Sequence, residues 1–63
     1  METYQKRVVS EKLELDKKIM SLKDFLLGDR KKEVPLVELE RLQRQSVAMK
    51  EYSEILGERI EGF

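Results

Sequence analysis

The sequence predicts an all-α protein: an antiparallel two-helix hairpin that assembles as a homo-oligomeric helical bundle. Two long segments carry apolar residues at helical spacing, and a short polar stretch containing Gly28 and Pro35 separates them. The chain has 63 residues. Chains of this size bury only about 60% of the surface that their unfolded form exposes, so association is the expected source of further burial.

We expect one domain over residues 1–63, with helices at about 3–27 and 35–61 and a loop at about 28–34. Thr3 is a suitable N-cap for the first helix. Gly28 suits the position after its end, where glycine takes the left-handed conformation without a Cβ penalty, and Gly62 suits the same position in the second helix. The apolar stripe of the first helix consists of Tyr4, Val8, Leu15, Ile19, Leu22 and Leu26.

The second helix is predicted to start near Pro35, because the missing N–H of proline would be unpaired in a first helical turn. Small residues, Ser46, Ser53 and Gly57, alternate with its apolar stripe. Glycine costs about 1 kcal/mol relative to alanine inside a helix. Gly57 therefore indicates either the close approach of a backbone or ligand, or fraying near the helix end. The stripe consists of Leu39, Leu42, Met49, Leu56 and Ile60.

A second apolar line on the first helix lies about 100° or more around the helix from the first stripe. It consists of Val9, Leu13, Met20 and Leu27. A two-helix hairpin covers one stripe on each helix, so this line is expected to be exposed in a monomer. We interpret it as the oligomer interface of a homo-oligomer, with a surface for another protein as the alternative.

The amino-acid composition excludes several classes of function. The chain lacks cysteine and histidine, which excludes disulfides, thiolate or imidazole metal sites, and histidine general bases. The 13 basic and 13 acidic residues are interleaved, so the concentrated basic surface of a nucleic-acid-binding protein is missing. No run approaches the roughly 20 apolar residues that span a bilayer. We expect a cytoplasmic protein that is not an enzyme and has no cofactor, metal, nucleic-acid or membrane partner.

Polar residues at seven-residue spacing, Gln45, Tyr52 and Arg59, edge the apolar stripe of the second helix. In an antiparallel hairpin with this loop, opposed residue numbers sum to about 64, which places Arg7 near Arg59 and Tyr4 near Ile60. Arginine forks match phosphate oxygens, and tyrosine rings offer a stacking face for a base. The predicted ligand-binding residues are Tyr4, Arg7, Gln45, Tyr52 and Arg59.

Two structural alternatives remain open for these residues. Nearby carboxylates, Glu11, Glu54 and Glu58, would neutralise the arginines in surface ion pairs worth about 0 to 1 kcal/mol. Gln45 has a second interpretation as a polar residue that fixes helix register, by analogy with coiled coils.

Three residue patterns extend beyond simple periodicity: Tyr4-x-x-Arg7-Val8, Glu11-Lys12-x-Glu14-Leu15-Asp16-x-Lys18-Ile19-x-x-Leu22-x-x-Phe25 and Gln45-x-x-Ala48-Met49-x-x-Tyr52-x-x-Ile55-Leu56-x-x-Arg59-Ile60. With these residues the chain resembles a family of very short bacteriophage proteins, first typified by an uncharacterised protein of a crAss-like phage. Small oligomeric helical phage proteins of similar build include sponges for cyclic nucleotides or NAD-derived signals of bacterial immune systems such as CBASS and Thoeris. By that analogy, the resemblance implies an anti-defence protein that sequesters such a signal in the host cytoplasm. The alternative is a non-enzymatic coiled-coil module.

Overall fold

Two long helices run antiparallel and pack against each other along their length. The computed structural model describes residues 3–63. Helix α1 spans Thr3–Leu27, a 3₁₀ turn spans Asp29–Glu33, and helix α2 spans Leu36–Glu61. The molecule measures 44 × 15 × 14 Å. The predicted all-α hairpin is confirmed.

The seam between the helices follows a seven-residue repeat, with steps of three and four residues on both helices, as in coiled-coil packing. Val8 and Leu56 are buried, at 5% and 0% exposure. The other apolar seam residues are half-buried, because each helix has only one partner to cover it. These are Leu15, Ile19, Leu22 and Leu26 of α1 and Leu39, Leu42, Met49 and Ile60 of α2.

The two glycines at the helix ends differ from the prediction, since neither adopts the left-handed conformation. Gly28 is extended, with φ −91° and ψ 177°, because the chain leaves α1 directly into the 3₁₀ turn. Glycine is still favoured there, since a Cβ would lie 3.3 Å from the carbonyl oxygen of Asp24. Gly62 keeps right-handed helical angles, with φ −80° and ψ −6°. Pro35 directly precedes α2, and its carbonyl accepts hydrogen bonds from the N–H groups of Glu38 and Leu39, both at 3.0 Å.

A polar cluster of Lys12, Asp16 and Ser53 joins the two helices within the seam. The Lys12 ammonium donates to the Ser53 hydroxyl at 2.9 Å and to the Asp16 carboxylate at 3.0 Å. The Ser53 hydroxyl donates to the other Asp16 oxygen at 2.5 Å and is 8% exposed. A slip of one turn between the helices would leave this buried hydroxyl without its partners, at a cost of about 1 to 3 kcal/mol. The cluster therefore favours a single register.

Gly57 faces the side chain of Lys12. A Cβ added at Gly57 would lie 3.5 Å from the Lys12 Cε atom, an ordinary van der Waals distance, and no backbone atom is comparably close. Helix α2 also continues past Gly57 to Glu61. Neither close backbone approach nor an early helix end therefore accounts for this glycine.

The second apolar line of α1 is exposed along most of its length, as expected for a single hairpin. Leu13 is 59% exposed, Met20 61% and Leu27 75%, while Val9 is half-buried. Within residues 3–63, neither helix is apolar enough over a sufficient length to cross a membrane.

The polar cluster predicts acid sensitivity. Hydrogen bonds from Ser53 and Lys12 lower the pKa of Asp16 below its ordinary value of 3.8. The stabilisation that the Asp16 carboxylate contributes to the folded state is therefore complete above pH 3.8. It is lost as the pH falls through the lower pKa that Asp16 has in the folded protein. We expect Asp16→Asn to destabilise the hairpin more at about pH 7 than at about pH 2, as measured by urea unfolding followed by circular dichroism. An equal loss at both pH values would contradict this role.

Replacing Gly57 with alanine is expected to stabilise the hairpin by about 1 kcal/mol, because the helix gains propensity and the Lys12 stem keeps a normal contact. Thermal unfolding measures the change. The matched inverse is Ala48→Gly, at an exposed position of the same helix, which should cost a similar amount. A less stable Gly57→Ala protein would show that Lys12 needs more space than the structure indicates.

Candidate functional site

A hydrogen bond across the helices defines one side of the hairpin: the Tyr52 hydroxyl donates to the carboxylate of Glu11. Residues seven positions apart stay on one side of a helix in this packing. Arg59 therefore shares the side of Tyr52, and Arg7 precedes Glu11 by one turn. We call this side the tyrosine flank. Its members are Tyr4, Arg7 and Glu11 of α1 and Gln45, Tyr52 and Arg59 of α2.

The two arginines of the tyrosine flank lie at similar heights near the open end of the hairpin. Arg7 is four residues, about 6 Å, from Glu11, and Arg59 is seven residues, about 10 Å, from Tyr52, both toward the open end. Since Glu11 and Tyr52 are in contact, the arginines differ in height by about 5 Å. This spacing allows one anion of nucleotide size to reach both guanidiniums.

Neither arginine forms an ion pair within the described residues 3–63. The ion pairs that the hairpin contains there are Lys12–Asp16, Lys17–Glu14 and Lys32–Asp29. Glu11 instead accepts the hydrogen bond of Tyr52. The structure thus departs from the alternative in which carboxylates neutralise the arginines. Arg7 and Arg59 are both exposed and have donors available for a ligand.

Tyr4 lies at the open end and packs on Phe63, outside the apolar seam to which its spacing assigned it. The two rings meet edge to face, with centroids 5.6 Å apart and planes at 80°. Tyr4 is 55% exposed and Phe63 is 40% exposed. Phe63 follows the last turn of α2, and its N–H donates to the carbonyl of Ile60 at 3.2 Å. This turn brings the Phe63 ring to α1.

Gln45 lies apart from the other predicted ligand residues. It is about 10 Å along α2 from Tyr52, toward the 3₁₀ turn. Its side chain is exposed, and its amide nitrogen lies 3.7 Å from the sulfur of Met49. The structure brings Tyr4, Arg7, Tyr52 and Arg59 toward one end, while register is fixed by Lys12, Asp16 and Ser53.

Sequence reasoning missed the roles of Lys12, Asp16, Ser53 and Phe63. Lys12 falls between Val8 and Leu15 at a position where the seam repeat calls for an apolar residue, which is a readable signal of a polar contact. The sequence indicates Ser53 only as a small residue beside the apolar stripe. The contact of Phe63 with Tyr4 had no periodic signal, because Phe63 follows the helix.

The tyrosine flank is an open surface suited to binding. Tyr52 is 42% exposed and precedes Arg59 by two turns of α2 on the same side. Guanidinium donors and an aromatic face can bind the phosphate and the base of one ligand. Glu11 adds a negative charge to the flank, which opposes anion binding. Binding of an anion there therefore depends on the two arginine side chains.

Comparison with known proteins gives a family match over nearly the whole chain. The model of the family described as Sequestin matches residues 2–62. This match fits the predicted resemblance, since the family name indicates proteins that sequester a molecule. No curated protein and no solved structure matches the chain significantly.

The edge-to-face contact at the open end yields a testable difference between two variants. Phe63→Ala should lower the free energy of unfolding by about 0.5 to 1.5 kcal/mol more than the loss of buried apolar area alone, because the aromatic pair with Tyr4 is lost. Phe63→Leu retains apolar bulk and serves as the control. Thermal unfolding and the proton shifts of the Tyr4 ring report the contact. Unchanged Tyr4 shifts in Phe63→Ala would show that the two rings do not meet in solution.

Proposed function

We propose that the chain, which belongs to the Sequestin family, binds and sequesters a nucleotide immune signal, either a cyclic nucleotide or an NAD-derived molecule. The family name is consistent with sequestering a molecule and implies binding, which differs from catalysis. The nucleotide class, an anti-defence role for a bacteriophage and action in the host cytoplasm are parts of the proposal.

The observation that carries the proposal is the pair of arginines without ion pairs beside Tyr52. Arg7 and Arg59 are exposed at similar heights, and the described residues provide no carboxylate in contact with either. A guanidinium binds phosphate through two parallel hydrogen bonds, and hydrogen bonds to charged groups contribute about 1.5 to 3 kcal/mol each. The Tyr52 ring supplies the stacking face for a base.

A sequestering protein requires high affinity for its ligand and high abundance, and it needs no catalytic turnover. The flank offers hydrogen-bond donors and aromatic faces, and no histidine or cysteine occurs in the chain. Because the flank is open on one helix pair, a ligand there is contacted from one side. Separately, we propose self-association through the exposed line of Val9, Leu13, Met20 and Leu27, which raises the number of binding surfaces held in one particle.

A second candidate function rests on that same apolar line. Leu13, Met20 and Leu27 are each more than half exposed, and such a line on a helix is a typical surface for another protein. In this alternative the chain is a non-enzymatic coiled-coil module, and the arginines have no ligand.

Calorimetric titration with cyclic dinucleotides, cyclic trinucleotides and ADP-ribose derivatives distinguishes the two functions. We expect a ligand among them to bind below about 10 μM, and Arg59→Ala to weaken it at least about tenfold with helicity unchanged. Arg44→Ala is the matched control, since it removes a guanidinium from the same helix but outside the tyrosine flank. Glu11→Gln should strengthen binding, because it removes a negative charge beside Tyr52.

Absence of binding by every tested nucleotide would remove the sequestering function and favour the protein-interaction module. Binding that Arg7→Ala and Arg59→Ala both leave unchanged would preserve the function but reject the tyrosine flank as its site. Equal losses in Arg59→Ala and Arg44→Ala would indicate attraction by overall charge.

A further inference from the structure

The exposed apolar line of α1 is symmetric about its central residue. Leu13 and Leu27 each lie seven residues from Met20, and all three are more than half exposed. Two residues, about 200° of helix, separate Leu13 from Glu11. The line therefore faces away from the tyrosine flank.

We propose that a second copy of the chain covers this line, with the two α1 helices antiparallel around a two-fold axis at Met20. This arrangement rests on the self-association proposed above and specifies its geometry. Met20 meets Met20 of the second copy, and Leu13 meets Leu27 at both ends. A two-fold contact uses the same surface on both copies, so a symmetric line is complementary to itself.

Charges beside the line support the antiparallel arrangement. Asp16 and Lys23 lie at nearly equal distances on either side of Met20, as do Lys17 and Asp24. The two-fold axis therefore places Asp16 across from Lys23 of the second copy, and Lys17 across from Asp24. Opposite charges thus lie side by side along both edges of the line in this arrangement.

The four residues have different local partners in the single hairpin. Lys23 and Asp24 form no ion pair within residues 3–63, whereas Lys17 has only an exposed pair with Glu14 at 3.5 Å. Asp16 is held in the seam cluster, but 44% of its side-chain surface stays accessible. All four can therefore face a second copy without leaving the hairpin contacts.

Helix α2 contributes an exposed apolar residue at the level of the proposed axis. The contacts of Ser53 with Lys12 and Asp16 set the register of the two helices. Following both helices from these contacts by one or two turns toward the 3₁₀ turn places Met20 level with residues 45–49. Val47 lies midway in that range and is 59% exposed. By helical spacing, it lies on the side of α2 away from Tyr52. The axis thus passes between apolar residues of both helices.

The two surfaces of the molecule then serve separate purposes. In this dimer the α1 helices lie side by side, and the tyrosine flank of each copy faces outward. The particle presents two such flanks. Changes in the apolar line should alter assembly without removing Arg7, Tyr52 or Arg59 from the ligand surface.

Single cysteines test the arrangement directly, because the chain has no cysteine of its own. Disulfides require Cα atoms within about 7 Å. Under mild oxidation, Met20→Cys should form covalent dimers much faster than Ser21→Cys, a control at the next residue on a different side of α1. Leu13→Cys alone should crosslink poorly, since its two copies lie about 21 Å apart along the helix. A mixture of Leu13→Cys with isotope-labelled Leu27→Cys should give mainly mixed dimers.

Native mass spectrometry and light scattering of the unmodified protein accompany the crosslinking. A monomer at all concentrations, with Met20→Cys no faster than Ser21→Cys, would overturn both self-association and its geometry. A dimer in which Leu13→Cys crosslinks to itself would overturn the geometry alone. Calorimetric titration of nucleotides is independent of these results, so it separately decides the ligand function. Circular dichroism of each variant verifies folding, and the Leu13 and Leu27 pair tests the proposal even where a Met20 variant unfolds.

Discussion

The hydrogen-bonded cluster of Lys12, Asp16 and Ser53 decides which residues of the two helices face each other. Apolar contacts alone specify register weakly in a narrow seam, because leucines one turn apart can replace each other. The Ser53 hydroxyl is buried and has its partners in one register only. In that register Glu11 meets Tyr52, and the arginines on either helix reach similar heights. The binding surface therefore depends on a contact that lies outside it.

The small size of the chain explains the rest of its surface. Each helix has one partner, so Val8 and Leu56 are buried while most seam residues retain exposure. Apolar residues outside the seam, such as Met20 and Val47, then lack cover within the hairpin. The same shortage of burial that limits a lone hairpin leaves apolar surface for a second copy. The low stability of a lone hairpin and the surface for assembly thus have one cause, which is that a chain of this size buries too little apolar surface by itself.

Helical periodicity was sufficient to predict the hairpin class and most of the seam, since Leu15, Ile19 and Leu22 repeat at intervals that only a helix places on one face. Periodicity could not predict that Tyr4 leaves the seam, because its position depends on Phe63, beyond the repeat. Nor could it assign the charged residues. Whether an arginine pairs with a nearby glutamate depends on side-chain conformations, and here Glu11 binds Tyr52 instead.

The short connection between the helices can be considered as a tether. Its residues, Asp29–Glu33, are exposed and its one ion pair, Lys32–Asp29, spans 4.0 Å at the surface. Such a link holds one helix at an effective concentration in the millimolar range around the other. Lengthening it costs little, about 0.6 kcal/mol for each doubling of a flexible loop. Cutting it would make helix pairing a bimolecular equilibrium that depends on dilution, so the covalent continuity of the turn matters more than the identity of Arg30 or Lys31.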